Sequence, residues 1–186
     1  MAILFKSMPG YALLSSLLFT PATSAQSRPP VILVDGGQDC GTPRTFGFGR
    51  LEAMLTDQGI RTELFRPCSV PSKQGVERTP IEELAEALAA RINELANPEV
   101  DLVAFSLGGP IVHCYLSGKQ TTSGVFKPPI KHKVRKLVFL GAGHFGGGDD
   151  VDLRYGSRFQ WDLANWNQGH DDLRQIEAVS LIAFVG

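Results

Sequence analysis

Apolar positions in this chain fall into short unbroken runs separated by longer stretches with helical spacing. Val31–Val34 follows two prolines and ends in Asp35, Gly36 and Gly37, which predicts a buried strand with a sharp turn at its C-terminal end. After a glycine-rich loop, Arg50–Gln58 places Leu51, Met54 and Leu55 on one face and stops at Gly59, the pattern of a short helix. Ile60–Phe65 predicts a second strand. The clearest helix comes next: Thr79 reads as its N-cap, Pro80 as its first residue and Glu82 as the partner in a capping box. Ile81, Leu84, Leu88, Ile92 and Leu95 then form a continuous apolar stripe that ends at Asn97 and Pro98. Val100–Phe105 predicts a strand, Gly108–Leu116 a helix, and Leu137–Leu140 and Val179–Val185 two further strands.

Strands that are apolar rather than strictly alternating, interleaved with helices at short spacing, predict a mostly parallel, doubly wound α/β sheet covered on both faces. There is no internal repeat. The composition changes this picture little. Of 186 residues, 43% are hydrophobic and 20% charged, enough for one globular core. The net charge of −1 gives no bulk attraction to nucleic acid or to an anionic membrane. The cluster Lys127, Lys131, Lys133, Arg135 and Lys136 reads as a solvated loop.

The first residues change the domain boundaries. One lysine at position 6, the apolar run Tyr11–Phe19 and the small residues up to Ala25 form a signal-peptide pattern. The apolar run is too short to span a bilayer, so no integral membrane segment is expected in the mature chain. Residues 1–25 are therefore expected to be a leader and 26–186 the folded domain, exported to the periplasm or secreted. Export would permit Cys40 and Cys68, both in loops after strands, to pair; two unpaired cysteines remain open as the alternative. Cys114 lies among apolar helix residues and reads as buried.

Candidate chemistry centres on Val103–Gly109. Ser106 follows a strand and precedes a helix, with the small residues Ala104 and Gly108 two positions away on either side. A serine there occupies a strained turn, and the helix beyond it directs free amides at negative charge developing nearby. The segment resembles the nucleophile elbow G-x-S-x-G of the α/β-hydrolases, with alanine for the first glycine. The resemblance implies a lipase- or esterase-like enzyme, of the triacylglycerol lipase or inositol-deacylase-like kind, with Ser106 as nucleophile. It further implies oxyanion-hole amides on Gly37 and Leu107. Lipases of this fold usually carry His-Gly after the first strand, where this chain has Asp35-Gly36-Gly37. Leu140–Gly146 resembles a Thr-Pro-His-x-Gly segment whose histidine, here His144, shapes the loop beside the site. Gly141, Gly143 and Gly146 also fit a dinucleotide fingerprint, but no convincing helix opens after them and the first βα unit lies elsewhere. Trp161–Trp166 reads as lid, acyl pocket or sheet packing. No cofactor and no metal is expected.

A serine hydrolase of this fold needs an acid and then a histidine after the elbow in chain order. Two readings stay open. In one, the domain is incomplete at its C-terminus, lacking its last strand and helix and with them the acid and base. In the other, His170 is the base and Asp162, or an acid at Asp149, Asp150 or Asp152, orients it. The function expected is hydrolysis of small-molecule or lipid esters. The alternatives are a catalytically inactive fragment or binding protein of the same fold and, remotely, a dinucleotide-binding oxidoreductase.

Overall fold

A computed structural model of the chain describes residues 28–40, 48–144, 152, 154–170, 173 and 175–181. The proposed leader, Asp149, Asp150 and the end of the last predicted strand lie outside these residues. The elements are β1 (Val31–Val34), α1 (Phe48–Asp57), β2 (Thr62–Phe65), a single 3-10 turn (Pro67–Ser69), α2 (Ile81–Glu94), β3 (Val100–Phe105) and α3 (Gly108–Ser117). A hairpin of β4 (Lys119–Thr122) and β5 (Val125–Lys127) follows, then β6 (Val134–Leu140), α4 (Arg158–His170) and β7 (Glu177–Leu181).

The main sheet has the order β2-β1-β3-β6-β7, and every pairing in it is parallel. The first described strand, β1, lies in the interior of the sheet; the chain builds β2 on one side of it, then crosses to β3 on the other. Such a reversal opens a crevice at the C-terminal ends of the two central strands. Val34 pairs with Ala104, so the loops leaving β1 and β3 emerge side by side.

Both faces of the sheet carry a core. On one, Ile32, Val34, Leu102 and Ala104 meet the α2 stripe and α3; Ile81, Leu84, Leu88 and Ile92 are all fully buried. Each such side chain contributes about 1.5–3 kcal/mol relative to exposure, an upper estimate given compact unfolded chains. On the other face, Val31 and Leu33 pack under Phe48, Leu51 and Leu55 of α1. The edge strand β7 is exposed along its whole length. Among the described residues no helix is long and apolar enough to cross a membrane.

Two sequence expectations change, and two segments take a form that the sequence left open. Helix α2 begins at Ile81, with Pro80 as the residue before it, and no capping box forms. The Thr79 hydroxyl instead donates to the Val70 carbonyl (2.6 Å), while Asp152 accepts the Ile81 N–H (3.2 Å). A carboxylate distant in sequence thus does what the local threonine was expected to do, and Glu82 is free to accept the Gln120 N–H (2.9 Å). The basic cluster is a solvated surface at Lys127 and Lys131 but not at its other three members. Lys133 reaches the Leu95 carbonyl at the end of α2 (2.7 Å), Arg135 forks onto Asp101, and Lys136 pairs with Glu177 (2.7 Å). The β4–β5 hairpin, polar except for the buried Phe126, has no apolar run to announce it. Trp161–Trp166 lies within α4: Trp166 packs against Phe126 while Trp161 is mostly exposed.

Cys40 and Cys68 form a disulfide, with their α-carbons 5.4 Å apart, and Cys114 is free and buried. Of the pairings that the sequence left open, the structure takes the bridge.

Candidate active site

Ser106 stands at the sheet's C-terminal edge, where β3 turns into α3. Its φ is +50°, and among the described residues no other non-glycine residue has a positive φ. A left-handed serine costs on the order of 1–3 kcal/mol, so its surroundings must over-determine it. They do. The Ser106 N–H donates to the Leu140 carbonyl (3.2 Å), and the Ser106 carbonyl accepts from the N–H of Gly109 (3.1 Å) and of Gly143 (3.4 Å).

Side-chain volume is excluded around this turn. A β-carbon on Gly36 would lie 2.5 Å from the Ser106 β-carbon, one on Gly108 2.4 Å from the Val34 carbonyl oxygen, and one on Gly109 2.5 Å from the Ala142 β-carbon. The position that departs from the family pattern behaves differently. Ala104 is fully buried in the core, so its methyl is accommodated between the central strands.

Leu107, which opens α3, has helical φ and ψ. Its N–H and that of Gly37 have no acceptor among the described residues, and the space in front of Gly37 is open. Asp35, where the resembled lipase pattern has histidine, is buried and accepts the Gly36 N–H (2.7 Å). Its own N–H donates to the Phe65 carbonyl (3.0 Å). The aspartate therefore braces the turn from within.

The chain has four histidines, and none hydrogen-bonds Ser106 in the described structure. The His144 ring stands edge-on to Phe139 and His113, with centroids 4.7 and 4.9 Å away, and its carbonyl accepts from the Gln160 side chain (2.5 Å). Burial lowers its pKa. His132 precedes β6, at the end of the sheet opposite the elbow. His113, on α3, gave no sequence signal beyond being a lone histidine among apolar residues. It stacks on Phe139, and burial, with a smaller contribution from His144, holds its pKa down at about 3. Asn167 lies 3.1 Å from its Nδ1 and accepts the Ser117 hydroxyl at 2.7 Å. That leaves the amide nitrogen of Asn167 to donate to Nδ1, so the neutral ring carries its proton on Nε2. His113 and His144 line a cavity of about 360 Å³ between α3, α4, β6 and β7, which Ser106 does not line.

Asp162 and His170 both lie on α4, about 12 Å apart along the helix axis by its rise per residue, so they cannot form an acid–base pair. Asp162 is buried and fully engaged, accepting from Gln120 (2.9 Å), Ser123 (2.8 Å) and Arg158 (2.9 Å). Burial pushes its carboxyl up, but Ser123, Gln120 and Arg158 outweigh that and hold it below the usual carboxylate range. His170 is exposed, stacked on Trp166 and bonded to the Trp166 carbonyl (3.1 Å). Asp152, the remaining described acid, is the α2 cap. The described part of the glycine-rich loop after β6 contacts the elbow through the Gly143 N–H, and the next helix among the described residues is α4, from Arg158. Among the described residues no cluster of histidine, cysteine and acidic side chains could hold a metal ion.

No protein-family model matches this chain, and no curated protein does. Solved structures do. A lipase of Bacillus licheniformis, BlEst2 in its mature form, superposes with a TM-score of 0.58 at 16% identity, covering 83% of this chain and 65% of that one. The phospholipase PlaB of Legionella pneumophila gives 0.56 at 17% identity, over 82% of this chain and 38% of that one. The fold is that of the α/β-hydrolases. Within this fold the chain spans about two-thirds of the length of the Bacillus lipase and well under half of the phospholipase.

Proposed function

We propose that this α/β-hydrolase chain is built for hydrolysis of carboxylic esters, small or lipid, through an acyl-enzyme on Ser106. The observation that carries the reading is the left-handed Ser106 in a strand-to-helix turn, beside N–H groups of Leu107 and Gly37 that have no acceptor among the described residues. Ser106 Oγ attacks the ester carbonyl carbon as its proton passes to a base. The carbonyl oxygen takes the negative charge, held by the two amides, and the alcohol departs with a proton. Water then attacks the acyl-serine and frees the acid. Each amide donor is worth about 3–4 kcal/mol in such a transition state.

No histidine of the chain bonds Ser106 in the described structure, so on this reading the described residues supply a nucleophile and two oxyanion amides, with the proton taken by a base from outside that set. Slow turnover is the expected result. A non-catalytic binding protein of the same fold is the second reading, and the same missing contact favours it. Export is part of the proposal, supported by the leader pattern and by a disulfide of the kind that persists in oxidising compartments.

A short-chain nitrophenyl ester assay with and without added imidazole tests the reading. The purified chain should turn over faster than its Ser106→Ala variant, and imidazole, as an external base, should widen the gap. Equal rates for the two proteins under both conditions would favour the binding protein.

A further inference from the structure

We propose that Gln38 is a positioning residue, holding the Gly37 amide toward the Ser106 site by a two-point clamp on Thr79. The inference rests on the ester-hydrolase reading above. Gly37 has little to hold it in place. A side chain there would meet open space, and its own N–H has no acceptor among the described residues. A glycine so placed samples many backbone conformations unless its neighbours are fixed, and fixing one residue costs about 1–2 kcal/mol. An amide meant for a developing oxyanion must already point there.

Its neighbour on one side is fixed by contact: Gly36 packs directly over the Ser106 β-carbon and the Phe105 carbonyl. On the other side stands Gln38. Its Nε2 donates to the Thr79 carbonyl (3.2 Å), and its Oε1 accepts the Thr79 N–H (2.9 Å). A primary amide presents a donor and an acceptor side by side, so it closes this reciprocal pair on one backbone residue. Thr79 is a firm anchor. It is buried, its hydroxyl is bonded to the Val70 carbonyl, and Pro80 and α2 follow it directly. The Cys40–Cys68 bridge ties the loop down again just beyond the clamp. Gly37 is therefore held between two fixed points, and Gln38 is the adjacent one that chemistry can switch.

Replacing Gln38 by Glu provides that switch. At neutral pH its carboxylate lacks the donor and opposes the Thr79 carbonyl. Below about pH 4 a protonated carboxyl again offers one donor and one acceptor. The test is backbone amide NMR relaxation, with residue-resolved hydrogen exchange and ester kinetics, on the full chain and its Gln38→Ala and Gln38→Glu variants. In Gln38→Ala the order parameter of the Gly37 amide should fall from about 0.85 to below about 0.6. The Thr79 amide, which loses its Gln38 acceptor, should exchange on the order of tenfold faster while the α2 amides keep their protection. Any Ser106-dependent kcat should fall on the order of tenfold with KM within about twofold, the signature of an interaction made in the transition state. Gln38→Glu should match the alanine variant's Gly37 order parameter at pH 7, relative to the parent at the same pH, and approach the parent near pH 4. A Gly37 order parameter unchanged in Gln38→Ala would overturn the proposal, whether or not the ester is turned over. If Ser106→Ala leaves turnover unaltered, the hydrolase reading fails separately, and the order parameters still decide the clamp.

Discussion

Gly36 and Ser106, the ends of two neighbouring strands' outgoing turns, are so close that a β-carbon on the glycine would lie 2.5 Å from the β-carbon of the serine. The Phe105 carbonyl oxygen would stand 2.6 Å from it as well. Neither atom belongs to a flexible side-chain end, so the approach can be kept only by leaving position 36 without a side chain. This contact couples the loop after β1 to the Ser106 turn.

Gly36→Ala is therefore expected to force the two turns apart. The destabilisation should reach about 1–3 kcal/mol, as for other overpacked sites, read as a lower urea midpoint. Reactivity at Ser106 should be lost along with the contact. Gly49, where a β-carbon would meet nothing within 4 Å, supplies the control. Gly49→Ala should leave reactivity intact.

Asp162 separates a structural from a catalytic account of the acid. Asp162→Ala leaves the Gln120 and Ser123 side chains without their acceptor and unties the β4–β5 hairpin from α4. We expect a loss of about 1.5–3 kcal/mol, the scale for a hydrogen bond to a charged group. Ser106-dependent activity, measured well below the unfolding midpoint, should persist. A fall of about 10⁴-fold, as when the acid of a catalytic triad is removed, would reinstate Asp162 in the mechanism.

His113 makes stability sensitive to acid. In the unfolded chain it binds a proton near pH 6.5, whereas in the fold burial delays that to about pH 3. Its contribution is complete above pH 6.5 and is lost as pH falls toward 3, because the unfolded state binds the extra proton. The slope approaches about 1.4 kcal/mol per pH unit inside that window. Urea midpoints of the parent should fall more steeply between pH 7 and pH 5 than those of His113→Phe. Parallel curves would contradict this.

The disulfide closes a loop whose ends are 28 residues apart, which in the chain-entropy model contributes about 3–4 kcal/mol. Thiol titration of the denatured, unreduced protein should find one thiol, that of Cys114. Three would mean that Cys40 and Cys68 are free.

Much of this fold is legible from local pattern. The strands β1 and β3 are apolar runs, the α2 stripe has helical spacing, and the small residues around Ser106 mark the elbow. What escapes local reading depends on residues far apart in sequence. The α2 cap comes from Asp152 because Thr79 is committed to Val70, and Lys133 finds the carbonyls of α2 only in three dimensions. The β4–β5 hairpin has few apolar positions to reveal it. At the site, Ser106 could be picked out because strain leaves a trace in its neighbours. Gln38 could not, since a lone glutamine in a loop says nothing about the backbone it will grip. The pairing of Asp162 with His170 respected the chain order of a triad, but one helix holds them about 12 Å apart.

The central claim is that Ser106 is the reactive nucleophile. Intact-protein and peptide mass spectrometry after incubation with a fluorophosphonate, with imidazole present, tests it most directly. The account predicts a single covalent adduct on the peptide containing Ser106, formed slowly and absent from Ser106→Ala. No adduct on the folded parent protein, or one that survives the substitution, would contradict it.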